Sequence, residues 1–404
     1  MTPHAVIDAP PRRPDTLPHR GDETPAAAGP GTRPTVRPEP DTRAAAPRPA
    51  GRLPSLDAFR GFVIAGMLLV NNMIWNAATP RQLMHAPWGG GVTFTDMILP
   101  WFVFTVGVTV PVGARAGLHG AAYALRVARR TATLVALGIL IDSVAAHRLT
   151  VGMDVLQLLG LSYLVAALLS RTPVPARLAA AAGLLAAYGA LLTLVPAPGL
   201  GAGVFQAHHN VIQYLNDAYL TRYALAGVLA VAPASALALL GTIAGGLLRA
   251  GRAEEIVKTG ALAAAGVALA LGGWLWGQTL PLNKDLWTPT YVLFAGGLGL
   301  LLLAACHLLF DVVRLRPLGV PFAVFGSNAI VGYVASALFA IGAMQTWPDP
   351  LSRGHTLSLH TVVLDPLGGA VGAVAAGWIY TASVIVVWWL ALFALYRRRV
   401  FIRV

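Results

Sequence analysis

The chain has 404 residues, of which 56% are hydrophobic and only 11% are charged. Soluble domains carry roughly 25% charged residues, so this composition excludes an ordinary soluble protein and predicts a polytopic membrane protein. The formal net charge is +12, but the basic residues are spread unevenly, and we expect no nucleic-acid partner. The single cysteine, Cys306, excludes an intramolecular disulfide.

The first part of the chain differs in composition from the rest. Residues 1–54 hold 13 of the 29 prolines and eight arginines, with almost no large apolar residues. Such a segment cannot bury enough surface to offset the entropy lost on ordering. We therefore expect residues 1–51 to form a disordered Pro/Arg-rich cytoplasmic tail and residues 52–404 to form one transmembrane domain. No apolar run follows Arg12-Arg13, so the tail is not predicted to be a signal peptide.

Ten apolar segments follow the tail, and each is long enough to cross the hydrocarbon core as a helix, which takes about 20 residues. Because runs this rich in Leu, Ala and Gly are helical in lipid, the sequence predicts an all-α polytopic bundle with about ten spans. The predicted segments are 57–76, 94–113, 126–145, 151–170, 176–196, 223–248, 257–278, 288–310, 321–344 and 370–396.

The basic residues predict the orientation of these spans. If the N-terminus is cytoplasmic, 15 Lys and Arg residues of the loops and the C-terminal tail face inward, against five that face outward. An excess of positive charge marks cytoplasmic loops, so we expect both termini in the cytoplasm and the protein in the cytoplasmic (inner) membrane. The inward set is Arg115, Arg126, Arg129, Arg130, Arg171, Arg177, Arg249, Arg252, Lys258, Arg314, Arg316, Arg397, Arg398, Arg399 and Arg403; the outward set is Arg81, Arg148, Arg222, Lys284 and Arg353.

The first predicted helix carries Asp57 and Arg60, three residues apart on one face near the inner leaflet. Charged groups in a membrane cost about 2.5–3.5 kcal/mol each on insertion scales, so they tend to be paired or functional. Two interpretations stay open: an ion pair that holds the helix in place, or an Arg60 that meets an anionic ligand entering from the cytoplasm.

His85 lies in the first outer loop and is the strongest candidate for a reactive residue. Asn71 and Asn72 end the segment before the loop, and Asp96 begins the segment after it. Asp96 alone is also the residue type that caps a helix. Because consecutive antiparallel helices bring these ends to one membrane face, an imidazole, two amides and a carboxylate gather there. A carboxylate near an imidazole orients the ring and raises its basicity, which indicates an active site at the bilayer surface.

Several other polar residues lie at the outer ends of predicted helices or within them. Asp154 and Gln157 open the fourth segment, the polar loop 283–288 precedes the eighth, and Asn328 lies early in the ninth. Each either lines a cavity or makes hydrogen bonds between helices, and both interpretations stay open. The outer-loop histidines match no metal-binding spacing, so we expect no metal; these are His208, His209, His355 and His360.

Small residues recur inside the predicted helices, as in residues 241–246 and 296–299. Such stretches let helix backbones approach closely. Packing within one chain is the first interpretation, and a seam between the two copies of a homodimer is the second.

Five blocks of this sequence, in order, resemble the heparan-α-glucosaminide N-acetyltransferase family and its bacterial members. Together they span about residues 52–396. The blocks are RLPSLDAFRG (52–61), HAPWG (85–89) with TDMILPWFVF (95–104), VLQ (155–157), PLNKDLWT (281–288) and PFAVFGSNA (321–329).

The resemblance implies a membrane N-acetyltransferase that binds acetyl-CoA from the cytoplasm and passes the acetyl group to the amine of a glucosamine on the far side. By motif, the catalytic histidine falls on His85, the asparagine that ends the first helix on Asn71, and the following aspartate on Asp96. We further expect donor contacts from Arg60, Asp57, Asn72, Gln157 and Asn328, and acceptor contacts from Trp88, Asp154, Asn283, Lys284 and Trp287.

The chain also departs from the family pattern. Leu158 stands where the family usually has an arginine, and Thr221–Ala224 replaces an Asp-Pro-Glu-Gly stretch. One extra glycine lies between Trp88 and Asp96. These changes bear on the acceptor more than on the donor. Because the chain resembles bacterial members, we expect an acceptor other than heparan sulfate. A transporter for an amino sugar is the alternative, although no inverted repeat or pair of broken helices is evident.

Overall fold

The computed structural model of the protein describes residues 53–76, 78–112, 120–251, 254–344, 346–348 and 356–402. The predicted tail, residues 1–51, lies outside the described residues. The helices are α1 (Pro54–Asn71), α2 (Phe94–Val112), α3 (Gly120–Ala146), α4 (Val155–Leu169), α5 (Val174–Leu194), α6 (Val211–Leu215), α7 (Val231–Arg249), α8 (Glu255–Trp276), α9 (Pro289–His307), α10 (Arg316–Ser327), α11 (Ala329–Met344), α12 (Leu359–Val371) and α13 (Ala373–Arg397). Two short antiparallel hairpins pair β1 (Phe205–Gln206) with β2 (His209–Asn210) and β3 (Thr346–Pro348) with β4 (Thr356–Ser358).

Among the described residues, six helical stretches are long and apolar enough to cross a membrane, and the bent pair α10–α11 adds a seventh if it is one span. The six contain α2, α5, α7, α8, α9 and α13. The predicted all-helical membrane bundle is therefore confirmed. Helices also occupy the other three predicted segments, as α1, α3 and α4, but α4 has only 15 residues. The count of ten spans stays a prediction.

Two predicted segments differ from the helices observed. The segment predicted at 223–248 is helical only from Val228, because Ala224 (φ 58°) and Gly227 (φ 89°) take left-handed conformations that interrupt it. The segment predicted at 321–344 is bent by 66° between α10 and α11. The sequence analysis also missed α12, which starts at a capping box formed by Ser358 and Thr361.

Small residues allow the tightest helix contacts. A Cβ at Gly107 of α2 would overlap the Ala238 carbonyl of α7, and a Cβ at Gly241 would overlap the Phe104 carbonyl in return. The predicted small-residue stretches thus pack within the chain. Gly297 lies against Ala270 where α9 packs on α8 in the same way. A homodimer stays a prediction.

The helices α2 and α9 run side by side in the same direction. Tyr291 Oη donates to the Asp96 carbonyl oxygen (2.6 Å), and one turn further Trp101 Nε1 donates to the Ala295 carbonyl oxygen (3.1 Å). Both helices therefore begin at one end of the bundle, which we call the His85 end. At the opposite end, the last turns of α2 and α7 meet, where Arg249 Nη1 donates to the Pro111 carbonyl oxygen (2.7 Å).

Candidate active site at the His85 end

The connection between α1 and α2 folds over the first turn of α2. After a short 3-10 turn at Arg81–Leu83, the Thr93 hydroxyl lies 2.7 Å from the Met84 carbonyl oxygen. The Phe94 backbone N–H donates to Gln82 Oε1 at 2.9 Å. These bonds tie the loop to the helix end, so His85 is held directly above the start of α2.

Asp96 is the buried centre of the site. Its side chain is fully buried, yet both carboxylate oxygens are bonded. Oδ2 accepts the backbone N–H groups of Ala86 (3.1 Å) and Thr93 (3.0 Å). Thr93 directly precedes α2, and its three-residue spacing to Asp96 is that of a capping box. The local sequence thus fixes the carboxylate against the His85 loop.

His85 contacts the other oxygen of this carboxylate. Its Nδ1 lies 2.7 Å from Asp96 Oδ1, as the sequence analysis predicted for these two residues. The side chain is 51% exposed, and the Trp75 ring lies edge-on at 6.2 Å. A carboxylate next to Nδ1 holds the proton on that nitrogen and leaves a lone pair on Nε2. Nε2 makes no hydrogen bond within the described part of the chain, so it is the nitrogen available to a ligand.

Lys284 also contacts the Asp96 carboxylate, although it lies in a distant part of the sequence. Its Nζ lies 2.8 Å from Asp96 Oδ1, the oxygen that His85 also contacts. The loop before α9 holds Lys284 in place, because Asn283 Oδ1 accepts the backbone N–H groups of Asp285 (2.9 Å) and Leu286 (3.0 Å). One buried carboxylate therefore joins an imidazole and an ammonium, both partly accessible.

A narrow crevice, too small to hold a water molecule, separates the His85 loop from the Lys284 loop. Its walls are the two loops themselves, with Trp88 on one side and Lys284 on the other. Trp88 Nε1 donates to the Phe205 carbonyl oxygen (2.7 Å), so the indole also ties the loop to the β1–β2 hairpin. Trp287 is nearly buried, has a left-handed backbone (φ 50°) and packs edge-on against Tyr291.

The two asparagines at the end of α1 have different surroundings. Asn71 is exposed as the last residue of the helix, and no hydrogen bond joins its side chain to His85 or Asp96. Asn72 is buried: its Nδ2 donates to the Leu68 carbonyl oxygen (2.9 Å), and its own carbonyl accepts from Thr381 Oγ1 (3.2 Å). The Asn72 amide therefore ends α1 and contributes to packing against α13.

The remaining predicted site residues lie in other parts of the bundle. Gln157 is buried between α3 and α4, where its Nε2 donates to Asp142 Oδ2 (2.7 Å), and Asp154 is exposed just before α4. At the bend between α10 and α11, the Asn328 amide bonds the backbone of the C-terminal segment, at the Val400 carbonyl oxygen (3.0 Å) and the Ile402 N–H (2.9 Å).

Asp57 and Arg60 are half-buried near the start of α1, far along the helix from Asn71. There α10 crosses α1, since a Cβ at Gly326 would overlap the Asp57 carbonyl oxygen. The predicted donor-binding residues Asp57 and Arg60 thus lie at the end opposite His85.

The sequence analysis missed three residues that shape the centre: Thr93, Trp75 and Tyr291. Thr93 had a local signal in its spacing to Asp96, which matches a capping box. The other two had none, because a tryptophan after a helix and a tyrosine in an apolar run are ordinary residues there. Among the described residues, no group of three or more His, Cys, Asp or Glu side chains could hold a metal ion.

Comparison with known proteins identifies the family. The family model described as heparan-alpha-glucosaminide N-acetyltransferase, catalytic, matches residues 52–274, more than half of the chain. The chain belongs to this family. The matched region contains His85 and Asp96 and ends before Lys284.

Two curated relatives carry the same name. Human heparan-alpha-glucosaminide N-acetyltransferase (Homo sapiens) is 26% identical over 357 residues, a match that covers 71% of this chain and 53% of the human protein. The mouse protein (Mus musculus) is 28% identical over 141 residues, covering 32% of this chain and 20% of the mouse protein. The chain thus spans about half the length of the human relative.

Proposed function

We propose that this protein is a transmembrane N-acetyltransferase that moves an acetyl group from cytoplasmic acetyl-CoA to the amine of a glucosamine-type amino sugar on the outer side. The observation that carries the proposal is the contact of His85 Nδ1 with the buried Asp96 carboxylate, with Lys284 on the same oxygen. Membership of the family supports acetyl transfer as the chemistry.

In the proposed reaction, His85 is the general base. As the acceptor nitrogen attacks the thioester carbonyl carbon, His85 Nε2 takes a proton from the amine. The C–N bond forms, the C–S bond breaks, and the proton on His85 passes to the departing CoA thiolate. The products are an N-acetyl sugar and CoA thiol, so no other reactant is needed.

Asp96 orients the imidazole and stabilises the imidazolium that forms during transfer. Lys284 offsets the carboxylate charge in the ground state and provides a positive charge close to the developing oxyanion. Asn71 is the second candidate for stabilising the oxyanion, because its side-chain amide could donate a hydrogen bond to the thioester carbonyl oxygen. Its exposed position at the end of α1 keeps its amide accessible to a substrate in the loop.

The donor would enter from the opposite end, where the basic residues of the loops are concentrated. CoA is polyanionic, and guanidinium groups bind phosphates well. Arg130 supports this assignment: its guanidinium lies 4.4 Å from the Tyr163 ring centre, and its buried Nε has no hydrogen-bond partner in the described part of the chain. Arg60 and Asp57 of α1 lie at the same end and stay candidates for donor contacts.

The acceptor would bind at the His85 end. Trp88, Asn283 and Lys284 flank the crevice between the His85 loop and the Lys284 loop and are proposed acceptor contacts. Asp154 and Trp287 stay candidates without a contact to this crevice. The inner membrane, with both termini in the cytoplasm, is the location that the loop charges favour.

The proposal is tested with the purified full-length protein in lipid nanodiscs, given labelled acetyl-CoA and a panel of amino sugars with a simple alkyl amine as control. We expect labelled N-acetyl sugar from the wild type, and a loss of about 10²–10⁴-fold in rate for His85→Gln, the usual contribution of a general base. Without acceptor, the peptide containing His85 should stay unmodified.

Two results would contradict this proposal. Folded protein that leaves both acetyl-CoA and every amino sugar unchanged is not the proposed enzyme, and counterflow of an amino sugar in vesicles would then identify the transporter. An acetyl group on His85 in the absence of acceptor would replace the base mechanism with a covalent one.

A further inference from the structure

A second cavity lies at the His85 end, in the segment between α5 and α7. It has a volume of about 450 Å³ and is formed by the loop after α5, the β1–β2 turn and α6. Small-molecule sites usually measure about 300–1,000 Å³. This cavity is therefore large enough for a ligand, whereas the crevice beside Lys284 has no room for a water molecule.

The lining of this outer cavity has the chemistry of a sugar-binding site. Tyr214 contributes an aromatic ring, and Gln213 and Asp217 contribute a planar amide and a carboxylate. Gln213 Nε2 lies 3.0 Å from both Asp217 oxygens, which orients the carboxylate but leaves further lone pairs free. Sugars present neighbouring hydroxyls to such planar groups and C–H faces to aromatic rings, so these three side chains match a pyranose.

The backbone around the outer cavity departs from regular structure in two places, the hairpin turn and the segment after α6. His208, in the two-residue turn of the hairpin, has a φ of 60°, a conformation that most residues other than glycine avoid. Asp217 and Ala218 lie in a π-helical turn at Asn216–Leu220. Strained residues and π-turns both concentrate at functional sites, and here they flank one cavity.

The outer cavity is joined to the His85 loop through shared packing. Trp88 Nε1 donates to the Phe205 carbonyl oxygen on β1, three residues before His208. Ile212 of α6 belongs to the same small buried cluster as Leu286, two residues after Lys284. Tyr188 Oη donates to the Leu286 carbonyl oxygen (2.9 Å) and closes the cluster from α5. The loop that carries His85 and the wall of the outer cavity are therefore connected by hydrogen bonds and by one buried cluster of side chains.

We propose that the outer cavity binds the second sugar ring of an oligosaccharide acceptor whose terminal glucosamine reaches His85. This inference rests on the proposed acetyl transfer to an amino sugar. The lining contains Asp217 and His208 but no Lys or Arg, so it selects neutral or amine-bearing rings over sulfated ones.

The experiment compares acetyl transfer to glucosamine with transfer to an unsulfated glucosaminyl disaccharide, using full-length protein in nanodiscs. For the wild type we expect kcat/KM to be higher for the disaccharide. Tyr214→Ala should lower the disaccharide-to-monosaccharide ratio of kcat/KM at least tenfold, mainly through KM. The matched control is Tyr223→Ala, an exposed tyrosine of the same segment that does not line the cavity; its ratio should stay within twofold of the wild type.

A wild type that does not prefer the disaccharide, or a Tyr214→Ala variant with an unchanged ratio, overturns the subsite. If no amino sugar is acetylated, the proposed function fails, and direct binding still tests the cavity. In that case saturable binding of the disaccharide, lost in Tyr214→Ala and retained in Tyr223→Ala, supports the site. The absence of binding, or equal binding of a sulfated disaccharide, contradicts it.

Discussion

Asp96 lies where three parts of the chain meet. It receives His85 from the preceding loop, Thr93 from its own helix start and Lys284 from a loop 188 residues away. A buried carboxylate is costly unless it is paired and hydrogen-bonded. The pairing with Lys284 therefore has an expected structural role besides its proposed catalytic one, because each charge offsets the other.

This pairing predicts coupling between Asp96 and Lys284. We expect Asp96→Asn and Lys284→Gln each to lower the thermal stability, because each leaves an uncompensated partner. The stability lost in the double variant should be smaller than the sum of the losses in the two single variants, with a coupling energy of about 0.5–3 kcal/mol. Thermal unfolding of the four proteins in detergent measures it. Asp285→Asn is the control, since Asp285 is exposed beside Lys284; purely additive effects at Asp96 and Lys284 would contradict the pairing.

For individual residues, the sequence predicted contacts only between residues that are close together in the chain. His85 and Asp96 could be paired because they flank the start of one helix, 11 residues apart. Lys284 was predicted as an acceptor contact, but its bond to Asp96 could not be foreseen, since only the packing of α9 beside α2 creates it. The proposed role of Asn71 at the oxyanion rests only on its position in the family motif.

At the scale of helices, glycines determine how closely α2 and α7 pack. Gly241 faces the Phe104 carbonyl and the backbone of Gly107, with no room for a methyl group. Gly246, on the same helix, has no neighbouring atom within 4 Å of the position a Cβ would take. The two glycines of α7 thus differ in environment, although both belong to one small-residue stretch.

We expect Gly241→Ala to destabilise the protein, because the added methyl group forces α2 and α7 apart, at a cost of about 1–3 kcal/mol for overpacking. Gly246→Ala is the matched control and should be neutral or stabilising by up to about 1 kcal/mol, since alanine favours helix over glycine. Thermal unfolding of the purified variants measures both. If Gly246→Ala destabilises the protein more than Gly241→Ala does, α2 and α7 do not pack through Gly241.

The predicted spans were most accurate where one apolar run makes one straight helix. The break at Asn328 was missed because the run 321–344 is apolar apart from a few small polar residues and is long enough for one straight span. At this bend the Asn328 amide bonds the C-terminal segment more than 70 residues later, a contact that the local sequence does not signal. The turns before α7 were missed because Ala224 adopts a left-handed conformation that its residue type does not signal.

At the scale of the whole bundle, the two ends differ in their polar groups. The His85 end holds the centre at Asp96 and the outer cavity, whereas the opposite end holds most of the loop arginines. A second network lies at that end, where Glu255 binds Lys258 (3.0 Å) and the buried His307 (3.0 Å). This division supports the proposal that an anionic donor enters from one face and a sugar from the other.

Transfer across a sealed membrane tests this account most directly. Proteoliposomes would contain labelled acetyl-CoA inside and glucosamine outside, with the wild type or His85→Ala in the bilayer. We predict labelled N-acetylglucosamine outside for the wild type, and a rate at least a hundredfold lower for His85→Ala with acetyl-CoA binding retained. A His85→Ala variant that acetylates external glucosamine at the wild-type rate would contradict the account, as would transfer that occurs only when both reactants share one side.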